Sequence, residues 1–398
     1  MDLTLTVAPG DGHLADDRII QGAIETVAAH GGGTVQLEPG TYTLHNSVRL
    51  RSGVRLLGSG EDTLLFKPAS ATVPIIEDSD WYDRHVVVAD VSPFRVGGGV
   101  LLSGICPHYG SEQIQVFTIT AIEGNRLWLD NLTNAAGHPI HLANLWIGKD
   151  PTATTIFSYV VGNWIHDVEV AHLRIDGNFD QNVYLSGNHA GGLYFQDCER
   201  VHLHHLHVSN VNSDGLSFQV AHDVTIEEST FDRCVQGIHA GSGSQRPIIR
   251  NNAIRNITSH GLAWCWGVKY GVAEGNAIED CGSATSIGHR DTDNIMRGNT
   301  FRRCTTGLVY RDDPPHQAAH DNVVEGNLFE DIGNADTPGV GIDMSAPVHG
   351  NVVRHNRFRC TQPGLMTIGL RIGAKVESVA LADNVFEGLP TEVEDLRT

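Results

Sequence analysis

Lysine is scarce in this sequence: four stand among 398 residues, at Lys67, Lys149, Lys269 and Lys375. With arginine they make 27 basic residues against 47 acidic ones, a formal net charge of -20. Nucleic acid selects basic surfaces, so no nucleic-acid partner is expected, and no anionic membrane surface either. An acidic glycan stays open, because a local basic groove can exist on an acidic protein. Long apolar runs are missing too, so no segment is expected to span a bilayer. The opening stretch Met1–Gly12 has no basic region followed by an apolar one. No signal peptide is therefore visible, and a cytoplasmic location is expected unless the chain was trimmed. The seven cysteines contain no CxxC pair. Cys234, Cys281 and Cys304 hold one repeat position that Ile257 and Ile332 hold elsewhere. A position that accepts Cys or Ile is a buried apolar one, so core thiols without disulfides are expected.

What the chain does have is periodicity. Asn252, Asn276, Asn299, Asn327, Asn356 and Asn384 recur at intervals of 24, 23, 28, 29 and 28 residues. Two positions after each comes Ile254, Ile278, Phe301, Phe329, Phe358 or Phe386. Repeats of this length, with short apolar strands, polar turns and 44 glycines, predict a solenoid of the parallel β-helix kind. Residues one repeat apart then become neighbours at about 4.8 Å. The series Glu227, Arg250, Glu274, Arg297, Glu325, Arg354 alternates in sign. Stacked, it places each charge between two opposite ones and fixes coil alignment.

Asp16 to Ala29 predicts a short amphipathic helix capping the open first coil, with Ile19, Ile20, Ala23, Ile24 and Val27 on a helical period. Residues 84–150 break the pattern. Val86–Val88, Val100–Leu102, Gln115–Ile119 and Leu127–Leu129 predict antiparallel strands of a small inserted β subdomain. The expected organisation is a cap and first coils over 1–83, the insert over 84–150, and further coils over 151–398. The fold class is thus all-β.

A third strand in each coil starts near Leu193, Leu216, Ile238, Leu262, Ile287, Leu308, Ile342 and Leu370. Alternation from these anchors puts Tyr194, Ser217, His239, Ala263, Gly288, Val309, Asp343 and Arg371 outward, and Phe195, Trp264, His289 and Tyr310 inward. Three steps on stand Gln196, Gln219, Gly241, Cys265, Arg290 and Arg311. This face departs most from the repeat, which marks it as the place for a site. Asp214 and His260 lie at strand mouths two coils, about 10 Å, apart. Asp291 and Asp312 follow Arg290 and Arg311 at matching positions, which predicts a carboxylate pair about 5 Å apart. Such separations suit glycosidic acid–base chemistry, and close carboxylates raise one pKa. The expected catalytic set is Asp214, His260, Asp291 and Asp312. His239, Arg290, Arg311, Trp266, Lys269, Tyr270, Tyr194 and Gln219 are expected to bind substrate, with Trp266 and Tyr270 stacking on a sugar ring. The run His202, His204, His205, His207 alternates along one strand. Only part of it then shares a face, and a structural role is expected rather than metal binding.

With these residues in hand, the chain resembles the pectate-lyase-like right-handed parallel β-helix superfamily. Gly10-Asp11-Gly12, Asp16-Asp17, Gln21, Ala23-Ile24, Gly31-Gly32-Gly33, Val35 and Pro39–Tyr42 look like its N-terminal signature. Asn212-Ser213-Asp214-Gly215 is similar to the Asn-Thr-Asp-Gly element of polygalacturonases, and Ser259-His260-Gly261 to their Gly-His-Gly. Their Asp-Asp pair is replaced by Val235-Gln236-Gly237, and their Arg-Ile-Lys by His289-Arg290-Asp291. The resemblance implies a glycan-active enzyme that hydrolyses or transfers glycosidic bonds. It leaves open a β-eliminative lyase or uronan C5-epimerase with Lys269, Arg290 or Arg311 as base, and a non-catalytic, tailspike-like glycan binder. No cofactor is required for the first; Ca2+ enters for a lyase. The expected partners are a carbohydrate and, by the same resemblance, other copies of the chain in a trimer.

Overall fold

The computed structural model describes residues 2–77, 83–105, 110, 112–130, 149–188 and 190–397. The chain winds as a parallel β-helix in which each strand pairs with its counterpart one coil away. The predicted ladders are in register: Phe301 pairs with Phe329, Phe329 with Phe358 and Phe358 with Phe386. Successive phenylalanine rings in this stack lie 4.9 Å apart. The strand spacing therefore sets the ring spacing, and one continuous core runs through the coils.

The asparagine ladder explains itself chemically. Asn276 Oδ1 accepts hydrogen bonds from both the backbone N and the Nδ2 of Asn252, each 3.0 Å. The pattern repeats through Asn299, Asn327, Asn356 and Asn384. An amide side chain offers donor and acceptor at once, so one residue per coil satisfies two buried turns. A second ladder, Asn294–Asn322–Asn351, repeats the pattern from Asn294 to Asn322 and keeps the backbone-N bond from Asn322 to Asn351. The alternating charges pair as expected, with Arg297 on Glu274 at 2.6 Å and Arg354 on Glu325 at 2.7 Å.

The predicted helix spans Asp16–Ala29 and buries Ile20, Ile24 and Val27 over the first coils. Its Asp16 carboxylate accepts from the backbone N of Gly10 and Thr43, and that of Asp17 from His45. Between the early and later coils the chain leaves the helix to form a six-stranded antiparallel sheet. That sheet begins at Thr72–Pro74 and ends at Lys149–Thr154, so it starts earlier than the sequence pattern suggests. Of the expected insert, residues 106–109, 111 and 131–148 lie outside the described residues. The coil after the insert stacks directly on the coil before it: Val160 pairs with Val48 and Val170 with Leu56. The insert is thus looped out of an unbroken solenoid. Six cysteines of the described residues are free thiols, most of them buried.

Candidate active site

One sheet of the solenoid stacks Leu193, Leu216, Ile238, Leu262, Thr285 and Leu308 inward. The next residues, Tyr194, Ser217, His239, Ala263, Ser286 and Val309, form the opposite row. The inward anchor of the fifth coil is Thr285, where the sequence pattern placed Ile287. A threonine in an apolar column reads as turn, and its buried hydroxyl indeed lacks a partner. The two-residue offset moves every expectation downstream on that coil. Ser286 takes the place given to Gly288, and Ile287 pairs with Tyr310 in the place given to His289.

Asp214 pairs in register with Gln236 and is wholly buried. Its Oδ1 accepts from Gln236 Nε2 at 2.9 Å, and its Oδ2 lies 2.7 Å from His239 Nδ1. The loop Leu185–Asn188 closes over it, held by Ser213 Oγ donating to Leu185 O and Ser217 Oγ to Gly187 O. A Cβ on Gly187 would stand 1.8 Å from the Asp214 carboxylate, so only glycine lets the loop close. Asp214 is therefore not the exposed mouth acid the sequence suggests. It is a sealed carboxylate that orients His239.

His239 is 5% exposed, not the open groove residue expected. Its ring hydrogen-bonds Asp214 and the thiol of Cys265, which lies diagonally across the sheet beyond Ala263. Burial pulls the imidazole down, but these two partners more than offset it and leave its pKa at about 9. Cys265 in turn accepts from Arg311 Nη1 at 3.3 Å, and Arg311 Nη2 donates to Trp264 O. Arg311 Nε is buried without a partner. His260, at the strand mouth, is pushed the other way: burial first, then the charges of Arg311 and His239, bring it to about 4. Its Nδ1 is likewise buried and unpartnered. His289 stacks on Trp266 at 4.4 Å and 12°, with Nδ1 2.7 Å from Asp313 Oδ1. It is lowered by burial and by Arg311. It sits in a left-handed turn, not in the core.

The face thus brings together His239, His260, His289, Arg311, Cys265 and Trp266. It does not bring together the expected carboxylate pair. Asp291 is fully buried, and its carboxylate accepts from the backbone N of Gly267, Val268 and Gly288 at 2.8–3.0 Å. It clamps two turns, and burial raises it to about 7. Asp312 points away to Lys375 Nζ at 2.7 Å. The reason is again the slip at Thr285: Gly288, not Arg290, falls opposite Arg311. Arg290 is exposed in a left-handed turn, its backbone N on Gln317 O. Trp266 and Tyr270 are exposed beyond the strand, as expected, and Lys269 is half-buried in the bridge between Gln245 and Thr292. Gln219 is buried on Ser217 Oγ. Tyr194 is also buried and lines a separate cavity of 390 Å³ between the insert and the coils. Cys265 and Asp313 were missed. The only sequence signal for Cys265 was its outward place in line with Arg311, and the buried thiols of other coils masked it.

A family model for a right-handed β-helix region matches residues 161–272 and 191–358. The chain folds as a right-handed parallel β-helix. No curated protein matches its sequence. Among solved structures, this β-helix is similar to the A-module of a mannuronan C-5 epimerase from Azotobacter vinelandii. The TM-score is 0.58 at 13% identity, covering 98% of this chain and 95% of that one. It is similar to a polygalacturonase from Erwinia carotovora ssp. carotovora with TM-score 0.58 at 12% identity, covering 98% and 96%. A surface adhesin of Streptococcus pneumoniae gives TM-score 0.55 at 14% identity, covering 98% and 93%. At such identities the likeness is one of fold.

Proposed function

We propose that this β-helix is an enzyme acting on a carboxylate-bearing glycan, by proton transfer at the carbon next to the carboxylate. The observation that carries the reading is the division of labour around Arg311. The nearby carboxylates Asp214, Asp291 and Asp313 are committed to protein partners, which leaves His260 and the remaining N–H groups of Arg311 to meet substrate, with His239 behind the Cys265 sulfur that both it and Arg311 touch. Arg311 is the group for a bidentate carboxylate contact. His260 is neutral and His239 is protonated at neutral pH. Two titratable groups driven apart in this way make a base and an acid. A substrate carboxylate on Arg311 would cancel part of the charge that holds His260 down, raising its basicity when substrate is present.

In this scheme His260 takes the proton from C5, and Arg311 stabilises the negative charge that develops on the carboxylate. The C4–O bond then breaks as the Cys265 thiol gives its proton to the departing oxygen and is reprotonated by His239 behind it, leaving an unsaturated uronate. Return of a proton to the opposite face of C5 instead gives epimerisation. The names of the epimerase and the polygalacturonase point to uronate polymers as the first substrates to try. Hydrolysis by a carboxylate pair fits less well, since Asp291 and Asp312 face different partners. The test is a polyuronate panel in heavy water with mass spectrometry of products. An ultraviolet-absorbing unsaturated end, or deuterium at C5, supports the reading; products that only gain water overturn it.

A second reading rests on the line Asp214–His239–Cys265. A carboxylate-oriented imidazole on a thiol is the arrangement of a nucleophile and its base. On an esterified glycan the Cys265 sulfur would bond to the acyl carbon. The sulfur would attack as a thiolate while protonated His239 gives its proton to the departing sugar oxygen; water would then release the acid and return the proton to His239. An acyl adduct on the intact protein, absent in Cys265→Ser, distinguishes this route; no adduct with any ester rules it out.

A further inference from the structure

On a different corner of the coil the structure holds a second histidine cluster that the proposed reaction does not use. Residues Ala171 and His204 are in register, as are Leu173 and Leu206, so His172 and His205 occupy the same corner of successive coils. Both adopt left-handed backbone, with φ 56° and 51°. The bend at His205 breaks the alternation expected for the run His202–His207. It turns the side chain of His205 toward that of His204 instead of to the other face. One ligand nitrogen from each of His172, His204 and His205 lies within 4.8 Å of the other two. The coil repeat itself supplies this convergence, because neighbouring corners are one strand spacing apart.

The hydrogen-bond arithmetic points to a cation. His204 Nε2 lies 3.0 Å from Glu169 Oε1, and His205 Nε2 lies 2.9 Å from Glu228 Oε2. Each carboxylate can only accept, so each Nε2 carries the hydrogen. In neutral rings the two Nδ1 atoms are then left as lone pairs, and they face each other at 2.8 Å. Two acceptors at that distance repel unless a positive centre lies between them. A carboxylate on the far nitrogen of each imidazole is also how metal-bound histidines are held in one tautomer. His172 adds a third nitrogen. On the side of the preceding coil the corner residue is Gly58, hydrogen-bonded to Ala171 O. It has no side chain to cover the cluster.

We propose that His172, His204 and His205 bind one divalent ion of the Zn2+ class, with Glu169 and Glu228 as outer partners and a fourth position open to water. Three imidazoles suit Zn2+, Ni2+ or Cu2+ and not Ca2+ or Mg2+, which prefer oxygen. Tetrahedral Zn–N bonds of about 2.0–2.1 Å set ligand nitrogens about 3.3 Å apart. The 2.8 Å pair and its third member reach that by small side-chain rotations. The ion would link the two coils that follow the insert.

The test uses the whole chain after chelator dialysis, titrated with Zn2+, Ni2+ and Ca2+ by calorimetry and thermal melting. The expected result is one saturable Zn2+ site, a Ni2+ response, a higher Tm with Zn2+, and no response to Ca2+. His205→Asn keeps a residue that tolerates the left-handed bend, so it folds while losing a ligand; it should abolish both the site and the Tm shift. Glu169→Gln should weaken binding about 10–100-fold. Zn2+ binding that survives in His205→Asn, or no Zn2+ site in the native chain, overturns the proposal. The latter leaves a shared proton between the two Nδ1 atoms.

Discussion

The two histidine clusters use the same residue type on the same scaffold, yet their surroundings are opposite. At the corner, His204 and His205 face Glu169 and Glu228, and the His205 side chain is about half exposed. On the sheet face, His260 and His289 sit beside Arg311, and His239 is shut in with Asp214. Acidic partners leave ring nitrogens free to bind a cation. Burial, helped by the guanidinium, lowers His260 and His289, and in the proposed reading the guanidinium makes an anion the fitting guest. The comparison teaches that in a solenoid the residue type says little, and the neighbours one coil away decide the chemistry.

That contrast can be broken first at Asp214. Asp214→Asn leaves His239 buried without its charge partner and should cost about 3–5 kcal/mol, read by denaturant unfolding. The sign with pH follows. His239 rises from about 6.5 unfolded to about 9 folded, so its stabilisation is full below the first value and fades as pH climbs to the second. His260, lowered to about 4, costs stability as pH falls from about 6.5. Asp291, raised to about 7, costs stability as pH rises over the range where His260 regains it, so the feature to read is the alkaline decline set by His239, and the variant should lose it.

Arg311→Met tests whether the guanidinium sets the character of the face. Turnover of the glycan should fall about 10²–10³-fold, and the His260 imidazole should titrate higher by NMR. An unchanged titration would mean that burial alone sets His260. Gly187→Ala is a smaller blow: the new methyl meets the Asp214 carboxylate, and the forced shift should cost about 1–3 kcal/mol. It should also admit solvent to His239, seen as faster exchange of its ring proton. At the corner, His205→Asn should change metal-free stability by no more than about 0.5 kcal/mol and leave glycan turnover alone. A large loss there would make the corner a structural element and erase the contrast.

Much of the architecture was legible because periodicity is a property of the chain. Asn252 to Asn384, the phenylalanine stack and the alternating charges needed only counting. The second ladder, Asn294–Asn322–Asn351, carries the same signal, with Met296, Val324 and Val353 two positions on, but it runs through only three coils and begins after Gly271, whose N–H alone meets Asn294. On the site face, His239 and Arg311 were placed by alternation from apolar anchors, and Asp214 and His260 by their position at strand mouths. The rule failed where the anchor was not apolar, at Thr285, and the Asp291–Asp312 pairing fell with it. Cys265 was hidden among thiols that fill the core.

The sequence by itself determined the solenoid, its cap, the looped-out sheet and the face on which unusual residues gather, since a stacked repeat turns spacing into neighbourhood. Only the tertiary structure decided which neighbours touch. The Gly187 loop seals Asp214, the offset at Thr285 sends Asp291 into a turn, and the left-handed bend at His205 folds two imidazoles together. These depend on backbone dihedrals and on loops between strands, which no repeat encodes.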